Sequence, residues 1–180
     1  MKIVNHWLSQ AIKLPSPNFD DRICEEDLSL IVVHCISLPP GQFGGDYIDQ
    51  LFCNQLNPEE HVYFKEIQHF QVSAHLLIKR CGTIVQYVAF NKRAWHAGLS
   101  EYKGREKCND FSIGIELEGT ETNEYSDQQY RQLSSIIKIL LLEYPGLATQ
   151  NIVGHSDISP GRKADPGEFF YWEKLFSNMK

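Results

Sequence analysis

The apolar positions of this chain fall into short runs, and most of them read as strands. Leu30-Ile31-Val32-Val33 is continuous and largely β-branched, which predicts a buried strand over 29–36 with His34 where that strand reaches the edge of its sheet. Residues 111–118 alternate, with Ile113, Ile115 and Leu117 on one face and Gly114, Glu116 and Glu118 on the other. Segments 71–78 and 84–90, joined by Lys79-Arg80-Cys81-Gly82-Thr83, predict a hairpin, and 151–154 predicts a short strand delivering His155. Other stretches carry a helical period. Trp7, Leu8, Ala11, Ile12 and Leu14 predict a short amphipathic helix that Pro15-Ser16-Pro17 ends, and a loop over 38–45 leads into a short helix over 47–53. Ser126 with Gln129 reads as a capping box, followed by an apolar stripe of Tyr130, Leu133, Ile136, Ile137, Leu140 and Leu141 that Tyr144-Pro145-Gly146 stops. A closing helix is expected over 169–176. Strands interleaved with helices, plus one hairpin, predict an α/β fold with a central mixed β-sheet flanked by helices.

Length and charge narrow the function classes. With 180 residues, no internal repeat and no Pro/Gly/Ser linker, one domain over 1–180 is expected. The net charge of -6 and the lack of a basic stripe argue against a nucleic-acid partner. No signal-like segment follows Met1-Lys2 and no apolar run approaches membrane-spanning length, so a cytoplasmic protein without a membrane partner is expected. The five cysteines are odd in number and form no C-x-x-C pair, which predicts reduced thiols.

The chemistry concentrates near the C-terminus. His155 and Asp165 stand ten residues apart in a Pro/Gly-rich loop, and His34 is the best source of a third metal ligand, although a lone strand-end histidine is also compatible with ordinary core packing. Two histidines and one carboxylate leave one position of a tetrahedral Zn2+ open for water, the arrangement of a zinc hydrolase. Asp157 competes with Asp165 for the carboxylate position, but two residues from His155 its reach is cramped, and a turn role is expected. Cys35 adjoins His34, yet neighbours on a strand point to opposite faces. Either Glu116 or Glu118 is placed to act as general base and acid, and Lys163 to stabilise a developing oxyanion. Trp95 and His96 read as a loop packing a sugar or peptide on an indole face, although the His96 ring is also compatible with supporting a metal ligand from behind. His75 reads as structural, and His6, His61 and His69 as packing or surface residues.

Taken in order, Val32-Val33-His34, Val72-Ser73-Ala74-His75, Arg93-Ala94-Trp95-His96-Ala97-Gly98, Phe111-Ser112-Ile113-Gly114-Ile115-Glu116 and the loop from His155 to Gly167 resemble the zinc-dependent N-acetylmuramoyl-L-alanine amidases, a family shared with bacteriophage amidases and animal peptidoglycan recognition proteins. The segments 36–45 and 104–111 are similar to a cytosolic branch acting on 1,6-anhydro-muropeptides. The resemblance implies zinc on His34, His155 and Asp165, a catalytic carboxylate at Glu116, and a supporting role for Lys163. It implies hydrolysis of the amide between the lactyl group of the sugar and the L-alanine of the stem peptide, in muropeptide recycling. The implied partner is a small soluble anhydromuropeptide, with a monomer as the expected state and with Arg105 and Lys107 as candidates for binding the peptide carboxylates. Cys35, Gln71 and Lys107 depart from the Asn, Arg and Arg of the family pattern. Two other readings are a non-catalytic module that binds peptidoglycan fragments and a lytic amidase acting on intact wall. The former is expected to lack a ligand, the latter to need export or a wall-binding repeat.

Overall fold

The computed structural model describes residues 1–180. Its main sheet has six strands: β1 (Ile12–Lys13), β2 (Leu30–Ile36), β3 (Leu76–Ile78), β4 (Ile84–Gln86), β5 (Ser112–Glu118) and β6 (Ile152–Gly154), in the spatial order β6-β2-β5-β3-β4-β1. All neighbours pair in parallel except the β3–β4 hairpin, so the sheet is mixed as expected. Both long strands at its centre, β2 and β5, are apolar enough to be buried on both sides.

Helix α3 (Asp127–Glu143) lies on one face. Its N-terminus carries the expected capping box, with Ser126 Oγ accepting from Gln129 N and Gln129 Oε1 accepting from Ser126 N, a cap contributing about 1 kcal/mol. Tyr130, Leu133, Ile136, Ile137 and Leu140 of this helix pack on Ile31, Val33, Ile113, Ile115 and Leu117, and α5 (Trp172–Asn178) adds Leu175 to the same cluster. Burying each such aliphatic side chain contributes about 1.5–3 kcal/mol before chain entropy is counted. On the opposite face α1 (Tyr47–Phe52) and α2 (Val62–Ile67) pack against Leu77, Val85 and Tyr87. A smaller cluster of Leu30, Val32, Ala97, Cys108, Phe111 and Ile158 closes the same face under β2.

Four expectations need correction. The N-terminal helix is absent: Ile3–Val4 and Trp7–Leu8 form an antiparallel ladder, and Ile12–Lys13 pairs at the sheet edge. Asn5 and His6 take positive φ values of 49° and 65°, which makes a tight turn where helical spacing alone suggested continuity. Leu8 N then donates to Gln86 Oε1 at 2.7 Å, a long-range bond that the local pattern does not contain. The helix α2 was not expected; His61 caps it by accepting from Tyr63 N. The hairpin strands are shorter than their apolar runs, and the closing helix begins at Trp172 rather than at 169.

Candidate metal centre and active site

Parallel pairing of β2 and β5 puts Glu116 in register with His34 on the sheet face opposite α3. On the other side of β2, the parallel strand β6 ends at Gly154 and hands the chain to a one-turn helix α4 (His155–Ile158), where a loop was expected. Asp157 holds that turn by accepting from Gly154 N at 2.7 Å, the turn role anticipated for it. The chain returns through Asp165, whose carbonyl accepts from Ser156 N at 3.0 Å.

These connections bring three ligand atoms together. His34 Nδ1 lies 3.0 Å from His155 Nδ1 and 3.1 Å from Asp165 Oδ2, and His155 Nδ1 lies 3.1 Å from that same oxygen. All three residues are buried and form one group able to hold a metal ion. His155 Nε2 donates to Ala97 O at 3.1 Å, which leaves Nδ1 as a lone pair facing the other two atoms, the usual support of a metal-bound histidine. Bonds of about 2.0–2.1 Å around a tetrahedral zinc imply ligand separations of about 3.3 Å, close to the observed triangle. The donor set therefore fits zinc.

The electrostatics agree with this fit. Burial pulls the His34 ring down to about 4, outweighing the Asp165 carboxylate beside it, so the ring is neutral near pH 7. Burial pushes the Asp165 carboxyl up, but hydrogen bonds with His155 and His34 outweigh it and hold the group below the ordinary carboxylate range. Burial, with the Asp165 charge adding to it and Lys163 opposing it, raises Glu116 well above its ordinary value. Glu116 Oε2 is buried without a hydrogen-bond partner. Such an orphaned oxygen is costly to keep ionised and well suited to holding a proton.

A cavity of about 500 Å³ opens over this group. Glu116 and Lys163 line it together with the three ligand residues, and Trp95, Tyr63, Ile67 and Phe70 supply an apolar wall. Glu118, the alternative carboxylate, is already engaged: its oxygens accept from Gly44 N at 2.6 Å and Arg80 N at 2.9 Å. Cys35 packs against the core on the α3 side, where burial pushes its thiol up to about 12, and it lies outside the group of ligand atoms formed by His34, His155 and Asp165. His75 is structural, accepting from Gly114 N and donating to Lys92 O.

Of the four residues expected to contact substrate, Trp95 and His96 line the cavity and Arg105 and Lys107 do not. The His96 ring borders the cavity, but both of its nitrogens face protein partners, His34 Nε2 at 2.9 Å and Ser112 Oγ at 3.1 Å. Arg105 forms a two-pronged ion pair with Asp27 and lies 3.9 Å over the Phe111 ring, and neither it nor Lys107 lines the cavity. Lys107 is exposed on the adjoining turn, with φ at 59°. Sequence reasoning also missed Arg162, whose Nη2 donates to Ala97 O and Leu99 O at 2.8 Å each, tying the ligand loop to the His96 loop. No local pattern signals that bond, since it joins segments 65 positions apart.

Comparison with known proteins leads to the same chemistry. The family model for N-acetylmuramoyl-L-alanine amidase matches residues 25–168. The 1,6-anhydro-N-acetylmuramyl-L-alanine amidase AmpD of Escherichia coli (strain K12) is 55% identical over 175 residues, which cover 97% of this chain and 95% of that protein. AmpD of Haemophilus influenzae is 52% identical over 173 residues, covering 96% and 94%. A crystal structure of a selenomethionine AmpD derivative matches with a TM-score of 0.97 at 53% identity over 100% of both chains. AmiD from E. coli, solved with anhydro-N-acetylmuramic acid-L-Ala-D-gamma-Glu-L-Lys, matches with a TM-score of 0.61 at 27% identity, covering 84% of this chain and 57% of that one. With the match running across the sheet, the ligand triangle and the cavity, this chain belongs to the N-acetylmuramoyl-L-alanine amidase family.

Proposed function

We propose that this amidase cuts the amide between the lactyl group of 1,6-anhydro-N-acetylmuramic acid and the L-alanine of the stem peptide, acting on small soluble muropeptides in the cytosol, with zinc held by His34, His155 and Asp165. The carrying observation is the triangle of three buried ligand atoms at 3.0–3.1 Å beside a buried, unpartnered Glu116 oxygen on the same cavity. The AmpD relatives supply the substrate class, since their names specify an anhydromuramyl-L-alanine bond.

Zinc, when bound, supplies Lewis-acid polarisation of water and of the scissile carbonyl. The chain's own residues do the rest. Glu116 accepts a proton from the attacking water and delivers it to the leaving nitrogen of L-alanine, and its raised pKa favours holding that proton between the two transfers. Lys163 lines the same cavity as Glu116 and the three ligand residues, where its charge stabilises the oxyanion of the tetrahedral intermediate. The apolar wall of Trp95 and Tyr63 gives the sugar ring a flat surface to pack on.

Residues 1–180 are proposed to act as one domain, because β1 completes the sheet edge and α5 packs on α3. No helix is long and apolar enough to cross a membrane, and the five cysteines are unpaired, in keeping with a reducing compartment. The test is incubation with anhydromuramyl-tripeptide and, separately, with intact sacculi, following released peptide by mass spectrometry. Tripeptide released from the soluble substrate alone is expected. Efficient release from sacculi would reassign the protein to wall lysis, and tight binding without cleavage would make it a sensor.

A further inference from the structure

His96 is half-buried at the edge of the cavity, in a place built for it. A Cβ added to Gly114 would lie 2.3 Å from His96 Cγ and 2.5 Å from its Nδ1, so this glycine in the middle of β5 leaves room for the ring to lie against the strand. The loop is pinned from beyond by Asn109 Oδ1, which accepts from His96 N at 3.1 Å and Ala97 N at 2.8 Å.

The direction of every hydrogen bond in the chain behind His34 follows from its far end. Ser112 has one hydroxyl proton, and Oγ donates it to Cys108 O at 2.5 Å. Its 3.1 Å contact with His96 is then an acceptor contact, so His96 carries its proton on Nε2. His96 Nδ1 is left as a lone pair and accepts from His34 Nε2 at 2.9 Å. His34 therefore presents a bare Nδ1 to the ligand triangle. The alternative tautomer would place a proton on Nδ1, between His34 and Asp165, where a metal has to bind. The next residue performs the matching task for the second histidine, since Ala97 O accepts from His155 Nε2.

We propose that His96 is a positioning residue of the metal centre: through Nδ1 it fixes the tautomer and orientation of His34, with Ser112 setting its own proton and Gly114 giving it space. The inference rests on the zinc reading of His34, His155 and Asp165. Partners of this kind typically contribute about 10–100-fold in metal affinity.

The test is zinc affinity by competition with a chelating dye, together with the visible spectrum of the cobalt-loaded protein, in the parent, His96→Asn and His96→Gln. An Asn oxygen falls near the place of Nδ1 and can accept from His34, whereas a Gln side chain reaches the place of Nε2 and faces Ser112. We expect His96→Gln to weaken zinc binding about 10–100-fold with a changed cobalt spectrum, while His96→Asn stays close to the parent in both. Ser112→Ala should weaken binding by about fivefold, the equivalent of one neutral hydrogen bond. Equal losses in the Asn and Gln variants, or parent affinity in the Gln variant, would overturn the proposal. If circular dichroism shows that His96→Gln does not fold, Ser112→Ala decides: parent affinity there overturns it and a loss supports it. A parent that binds no zinc refutes the metal reading itself, an outcome distinct from these.

Discussion

Glu116 stands in register with His34 on the neighbouring parallel strand, so the buried carboxylate and the first ligand share one face of the sheet at adjacent positions. Two apolar strands that pair for reasons of core packing thus deliver the proposed base and one proposed metal ligand to the same cavity, and a slip of either strand by one residue would turn its side chain toward the α3 core.

His155→Ala removes one corner of the ligand triangle and should abolish metal content and turnover together. Metal analysis of the purified variant checks this, and a full complement of zinc would refute the ligand assignment. Treating the parent with a chelator should likewise lower its melting temperature, because zinc binds only the folded state; at a free-metal level of 1,000 times Kd the stabilisation is about 4 kcal/mol.

Replacing Glu116 with Ala should spare the metal and remove proton transfer, a loss of about 10²–10⁴-fold in kcat. Turnover near the parent rate, with zinc retained, would mean that another group handles the proton.

Glu116→Gln has a second consequence for the metal-free protein. Burial raises this carboxyl above its ordinary 4.5. Below pH 4.5 the group is protonated folded or unfolded and contributes no difference; as pH rises through the raised value, the folded state alone comes to bear the cost of an ionised, unpartnered oxygen. The Gln variant should therefore be more stable than the parent by about 1–3 kcal/mol at pH 8, shrinking toward zero at pH 4. Denaturant titrations at both pH values measure it, and a stability gain that does not grow with pH would contradict the assigned direction.

Glu118→Ala should act on stability instead. Removing its carboxylate leaves the Gly44 and Arg80 amides without their acceptor, at a cost of about 1–3 kcal/mol for each that stays buried. Urea midpoints should fall, while turnover per folded molecule falls far less than in Glu116→Ala.

For Lys163→Ala we expect zinc retained and kcat reduced about 10²–10³-fold, the usual effect of losing one oxyanion-stabilising donor. A change confined to KM would show that Lys163 binds substrate and leaves the transition state alone.

The sequence by itself determined the two central strands, the capped helix α3, the mixed sheet and the residue types that could hold a metal. Each of these is written in local terms: β-branched runs, strict alternation, a capping box, or a side-chain type whose chemistry does not depend on neighbours. The N-terminal segment misled because five apolar residues at helical spacing are too few to separate a helix from paired short strands, and the deciding bond, Leu8 N to Gln86 Oε1, spans 78 positions. The strand pattern left Glu116 and Glu118 open and the family resemblance favoured Glu116; the tertiary structure adds the physical difference between them. Both sit on the same strand face, and what separates them is that Gly44 and Arg80 fill one carboxylate while the other is left bare against the cavity. The same holds for His96, whose loop looked like a substrate surface and whose ring proves to be bound to His34 and Ser112. Hydrogen-bond partners and desolvation belong to the assembled fold, because they depend on which distant segments the packing brings within 3 Å, and no periodicity along the chain encodes them.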